Sequence, residues 1–114
     1  MDVGIDIEND HSDEVIRELE RKVSLILESW GMTGEKYAKL ASPVDTGNLR
    51  RSITYEPDDS EDAVYIGTNV EYAPYQELGT SKHPAANDGR GFLRPAVFDH
   101  LKEYQQIAES ILKE

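Results

Sequence analysis

A chain of 114 residues, 38% hydrophobic and 31% charged, is the size of one domain with a modest core and has a globular rather than a disordered composition. With 23 acidic residues against 12 basic, the formal net charge is −11, which excludes the Lys and Arg surplus that tight binding to a phosphate backbone requires. No cysteine is present, which excludes disulfides, thiolate nucleophiles and cysteine zinc sites.

Val3, Ile5 and Ile7 alternate with Gly4, Asp6 and Glu8. Period two predicts a short, half-buried strand. The opening residues show no basic region followed by an apolar run, so no signal peptide is expected. No apolar stretch approaches the roughly 20 residues of a membrane span. Asp10 or Ser12 is placed to cap a helix, with Asp13 and Glu14 complementing its positive end.

Residues 13–41 have helical spacing. Ile16, Val23, Trp30 and Tyr37 recur every seven residues, and Leu19, Ile26 and Leu40 fall between them. Such a stripe must be covered by a sheet, another helix or a neighbouring subunit. Gly31 and Gly34 predict a kink or break in its second half. Pro43 ends the helix, because the residue before proline avoids the helical region.

Asp45 or Thr46 can cap a short helical turn through residues 48–51, with Gly47 allowing tight backbone. Residues 52–56 and 63–68 read as two strands of a hairpin whose acidic turn, Pro57-Asp58-Asp59-Ser60-Glu61-Asp62, stays in water. Tyr72 and Tyr75 are one helical turn apart. With Tyr65 they form either packing beneath the next loop or a patch facing a partner. Residues 79–91 read as a long loop of the kind that is functional or disordered. Pro95 suits the first position of a closing helix, with Phe98, Leu101, Tyr104, Ala108, Ile111 and Leu112 at helical spacing. The predicted fold is a single α+β domain over residues 1–114. A small antiparallel sheet, made of the N-terminal strand and the hairpin, packs against a long N-terminal helix and a C-terminal helix.

Asp45-Thr46-Gly47 is the tripeptide of aspartic proteases, and a short chain with one copy would need a homodimer to bring two carboxylates together. Asp88-Gly89-Arg90 mimics the second element of such enzymes. That fold is nearly all strand, whereas here a helix leads into Asp45. His11, His83 and His100 lack paired ligand spacing, so no metal site is expected. No phosphate-binding glycine loop or nucleophile elbow is present, and no catalytic residue or cofactor is expected.

Two separated motifs carry the strongest signal. One is Pro43-Val44-Asp45-Thr46-Gly47, followed by Leu49-Arg50 and Ser52-Ile53. The other runs from Ile66-Gly67-Thr68 through Tyr72-Ala73, Tyr75, Glu77 and Gly79-Thr80 to Phe92-Leu93-Arg94-Pro95-Ala96. In their order and spacing, over residues 41–97, they resemble the head–tail joining or tail-component family of long-tailed bacteriophages, typified by the gene-ten product of a lambdoid phage. The resemblance implies a non-enzymatic virion assembly protein of a phage or prophage, made in the bacterial cytoplasm. It also implies a homo-oligomeric ring at the neck, six-fold, around the DNA channel. The implied partners are phage connector and tail proteins, with no membrane and no sequence-specific nucleic acid. Arg50, Tyr72, Tyr75, Glu77, Phe92 and Arg94 are the expected interface or the scaffold supporting it. The alternatives are the dimeric protease and a host protein-binding module.

Overall fold

The structure, a computed structural model, describes residues 12–43 and 47–114. Its frame is one helix, α1 (Ser12–Ala41), about 45 Å long at 1.5 Å per residue. Asp13 and Glu14 lie in its first turn and Lys39 in its last, matching the helix dipole at both ends. A short helix α2 (Asn48–Ser52) follows, then an antiparallel hairpin of β1 (Thr54–Asp58) and β2 (Ala63–Gly67). Four helical pieces close the chain: α3 (Ala73–Leu78), α4 (Ala86–Gly89), α5 (Leu93–Phe98) and α6 (Leu101–Leu112).

The long helix and the hairpin match the sequence expectation, within one or two residues at the helix start and the strand ends. Gly31 and Gly34 do not break α1. Both are buried because the hairpin rests on them. A Cβ on Gly31 would lie 2.3 Å from Cδ2 of Tyr55, and one on Gly34 would lie 3.1 Å from Cγ2 of Ile66. The glycines form a seat for the sheet, and packing outweighs their weaker helix propensity of about 1 kcal/mol each. The Tyr55 hydroxyl also donates to Glu28, and the Ser24 hydroxyl donates to Asp59 at 3.2 Å, so the hairpin tip is fixed against the middle of α1.

The other flank of α1 is covered by α6, which runs antiparallel to it. His100 stacks on Tyr37 with ring centroids 3.5 Å apart, Trp30 Nε1 donates to the Tyr104 carbonyl at 2.7 Å, and Lys22 Nζ donates to the Glu114 carbonyl at 2.6 Å. Residues 12–21 of α1 extend beyond this cover, and Val15, Ile16 and Leu19 stand exposed on them. The core lies nearer the other end of α1. Ala38, Leu49, Ile53, Ala73, Phe92 and Ala96 meet there, with Tyr37, Ile66 and Leu93 around them. Three alanines let four segments approach closely enough to enclose Phe92, whose complete burial contributes about 1.5–3 kcal/mol.

The single closing helix is a wrong expectation. α5 and α6 are separated at Asp99 and His100, where His100 takes φ −128° and ψ 24°. The break turns the His100 ring onto Tyr37, while Arg90 holds Asp99 in an ion pair. Pro95 is the third residue of α5 rather than the first, still within the turn whose N–H groups need no helical partner. The 79–91 segment is no featureless loop. Thr80 Oγ1 accepts from the His83 N–H at 3.0 Å, and the α4 turn follows. The N-terminal strand at Val3, Ile5 and Ile7 and the caps from Asp10, Asp45 or Thr46 lie outside the described residues. At the start of α2 the cap position belongs to Gly47, with φ 77°.

Candidate functional site

Glu77 binds the second motif together. It lies in the last turn of α3, and its carboxylate reaches across to the start of α5, whose first N–H groups have no partner within their own helix. Oε1 accepts from the N–H of Phe92 at 2.8 Å and of Leu93 at 2.6 Å. Oε2 accepts from Arg94 Nε at 2.6 Å and from the Arg94 N–H at 3.2 Å. The Arg94 guanidinium also donates to the Glu77 carbonyl. The carboxylate is 12% exposed, and burial alone would raise its pKa. The N–H groups of Leu93 and Phe92, with Arg94, outweigh that and hold it below the ordinary value.

The motif glycines follow from this clasp. Gly79 ends α3 at φ 81°, and a Cβ there would lie 2.7 Å from the Ala85 nitrogen. Gly91 has φ 83°, and a Cβ there would lie 2.5 Å from Oε2 of Glu77. Both positions demand glycine by conformation and by space. Between them Asn87, at φ 55°, donates from Nδ2 to the Ala41 carbonyl at 2.9 Å and to the Gly91 carbonyl at 2.8 Å. One side chain therefore satisfies a free carbonyl at the end of α1 and ties the clasp to it.

The six residues singled out in the sequence divide into three arrangements. Glu77, Phe92 and Arg94 come together in the clasp, with Phe92 fully buried beneath it. Arg50 is half-buried and lies over the end of α1, its guanidinium donating to the Ser42 carbonyl at 3.4 Å. Tyr72 and Tyr75 point outward. Tyr75 is 61% exposed, and Leu78, on the same face one turn further, is 71% exposed. Ala73 is buried on the opposite side of α3. Tyr65 is also exposed, with its hydroxyl on Glu61, so the three tyrosines are not a packed cluster beneath the loop.

Sequence reading missed Leu78, Asn87 and the seat at Gly31 and Gly34. Leu78 was legible as the third member of an i, i+3, i+6 series with the two tyrosines. The tie from Asn87 to α1 had no local signal, because the Ala41 carbonyl lies 46 residues away.

Among the described residues, no group of three or more His, Asp and Glu side chains is placed to hold a metal ion. The described residues contain one two-stranded sheet, not the nearly all-strand frame of a dimeric aspartic protease. Asp88 of the second mimic sits in a left-handed turn at φ 56°. No helix among them is long and apolar enough to cross a membrane.

The family model described as "Bacteriophage HK97-gp10, putative tail-component" matches residues 9–79. That span takes in the whole of α1, the first motif, the hairpin and α3. No curated protein and no solved structure matches the chain.

Proposed function

The chain belongs to the HK97-gp10-like family of bacteriophage tail components, and from that premise we propose that it is a ring-forming neck subunit that joins head to tail or completes the tail. Family membership makes its role structural, in virion assembly, and associates it with the particle. It is the one observation that carries the reading. The finer placement is supported by physical features. The face of Tyr72, Tyr75 and Leu78 offers aromatic and aliphatic groups of the kind enriched at interface centres. The Glu77 clasp fixes that face relative to α5 and the core. A rigid support of this kind reduces the ordering that association would otherwise require.

In this reading the copies surround the channel, six to a ring, and contact the connector on one side and the tail on the other. They are made in the bacterial cytoplasm. A net charge of −11 per copy lets DNA pass without the counterion release that would retain it. Electron microscopy of lysates from a phage or prophage lacking this gene tests the proposal. Full heads beside separate, finished tails are expected. Intact infectious particles would overturn it.

A further inference from the structure

Where the hairpin tip meets α1 and the helix projects past it, the two elements leave a groove of about 570 Å³. Ile16, Leu19 and Val23 of α1 supply its apolar lining, Asp59 and Asp62 of the tip supply its other side, and Glu20 and Ser24 complete it. The Ser24 hydroxyl donates to Asp59 at 3.2 Å, which fixes the two sides against each other. Ile16 is 51% exposed and Leu19 52%, with Val15 exposed beside them. An apolar stripe left open along a helix marks an association surface, because its exposure to water is unfavourable until something covers it. The groove also carries charge of one sign. Its lining holds three carboxylates and no base. Residues 58–62 of the tip are four carboxylates and one serine. Arg17, Arg21 and Lys22 of the same stretch of α1 do not line it. Arg21 is bonded to Glu18, and Lys22 to the Glu114 carbonyl.

We propose that this groove docks a basic amphipathic helix of a partner protein. The partner's apolar side chains lie on Ile16, Leu19 and Val23, and its Arg or Lys side chains lie beside Glu20, Asp59 and Asp62. Length is the first argument. From Ile16 to Ser24 the groove runs about 12 Å along α1 at 1.5 Å per residue. That is the span of anchors at i, i+3, i+4 and i+7 on a helix lying in a groove. Charge complementarity is the second, and it selects the occupant. The carboxylates favour a cationic partner, speed its encounter and reject an acidic one. Duplex DNA has the wrong sign. A second copy brings a net charge of −11. The chain's own first ten residues contain Asp2, Asp6, Glu8 and Asp10 and no Lys or Arg. Only a partner that combines apolar and basic side chains matches both halves of the lining. Affinity then comes from the buried apolar contacts, since ion pairs at an exposed rim add little each. This site is independent of the Tyr72 and Tyr75 face and of the neck placement.

The probe is a labelled synthetic helix with leucines at i, i+3, i+4 and i+7 and arginines flanking them, titrated with the full chain and read by fluorescence anisotropy. Saturable binding is expected, weakening as salt rises from about 0.05 M to about 0.5 M. Leu19→Ser, at an exposed position, should weaken it about tenfold or more. Asp59→Asn with Asp62→Asn, which keeps an acceptor for Ser24, should weaken it to a similar degree. Glu109→Gln with Glu114→Gln removes the same charge from α6 and should leave binding unchanged. The same helix with glutamates in place of arginines should not bind. If the α6 pair weakened binding as much as the tip pair, the helix would be reading net charge alone, and the proposal would be overturned. Binding that survives Leu19→Ser unchanged would overturn it too. A wild-type chain that ignores the helix but self-associates through Leu19 would give the groove to a second copy instead.

Discussion

Glu77 separates two roles that look alike in a sequence. A charged residue in a motif next to tyrosines reads as an interface residue, yet most of its hydrogen-bonding capacity is used inside the molecule. Glu77→Ala would leave the N–H groups of Phe92 and Leu93 without their acceptor and Arg94 without its partner. The expected loss is about 2–3 kcal/mol, measured by urea denaturation. The pH dependence has a defined sign. The folded carboxyl lies below its ordinary value, so its contribution is fully present above the unfolded pKa and is lost as pH falls through the folded one. Wild type should therefore lose stability on acidification below the ordinary carboxylate range more steeply than Glu77→Gln. Parallel acid profiles would show that the clasp does not depend on charge. Tyr75→Ala is the contrasting case. An exposed side chain without a buried partner should change stability by less than about 0.5 kcal/mol. If the face is an interface, the same substitution lowers the yield of joined particles. The sequence marked all of these residues, but local spacing does not show whether a side chain turns inward toward a partner 15 residues away.

At the level of elements, periodicity was legible where at least part of one face is buried. The middle of the α1 stripe, about Ile26, is buried and β2 turns Ile66 onto Gly34, whereas Ile16, Leu19 and Leu40 of the same stripe are exposed. It failed where packing between distant segments decides the backbone. The apolar spacing from Phe98 to Leu112 suits one helix, but Phe98 and Leu101 are both exposed, and stacking of His100 on Tyr37 takes precedence. Gly31 failed in the opposite sense, because a residue that weakens an isolated helix strengthens a packed one. Gly31→Ala tests this by opposing two known terms. Helix propensity alone predicts a gain of about 1 kcal/mol. The added methyl would lie 2.3 Å from the Tyr55 ring, and such overpacking costs about 1–3 kcal/mol or more. Net destabilisation is expected, with Tyr55 displaced and its bond to Glu28 broken. A rise in Tm would show that the hairpin can lift off α1 freely. The tyrosine next in line is firmer still. Burial pushes the Tyr104 phenol up to about 12, and its hydroxyl donates to the Ala96 carbonyl at 2.7 Å, fixing α6 to α5.

For the whole molecule, charge and shape act against each other during assembly. Each copy carries −11, so bringing copies together raises the electrostatic free energy, and the apolar faces must exceed that cost. The described surface supplies such faces on α3 and along the projecting start of α1. Repulsion between exposed charges is screened over about 10 Å at 0.1 M salt and about 3 Å at 1 M. Self-association of the proposed ring should therefore strengthen as salt rises from low to near-molar concentration, seen as a shift to larger species in sedimentation velocity. Duplex DNA, carrying the same sign of charge, should not co-sediment with the protein even at low salt. The opposite trend, rings that dissociate as salt is added, would mean that the interface is built from opposite charges. Arg94 and Arg90, whose guanidinium groups are engaged by Glu77 and Asp99 within the chain, would then be poor candidates for that role, and charge reversal at Lys82, an exposed residue, would be the first test.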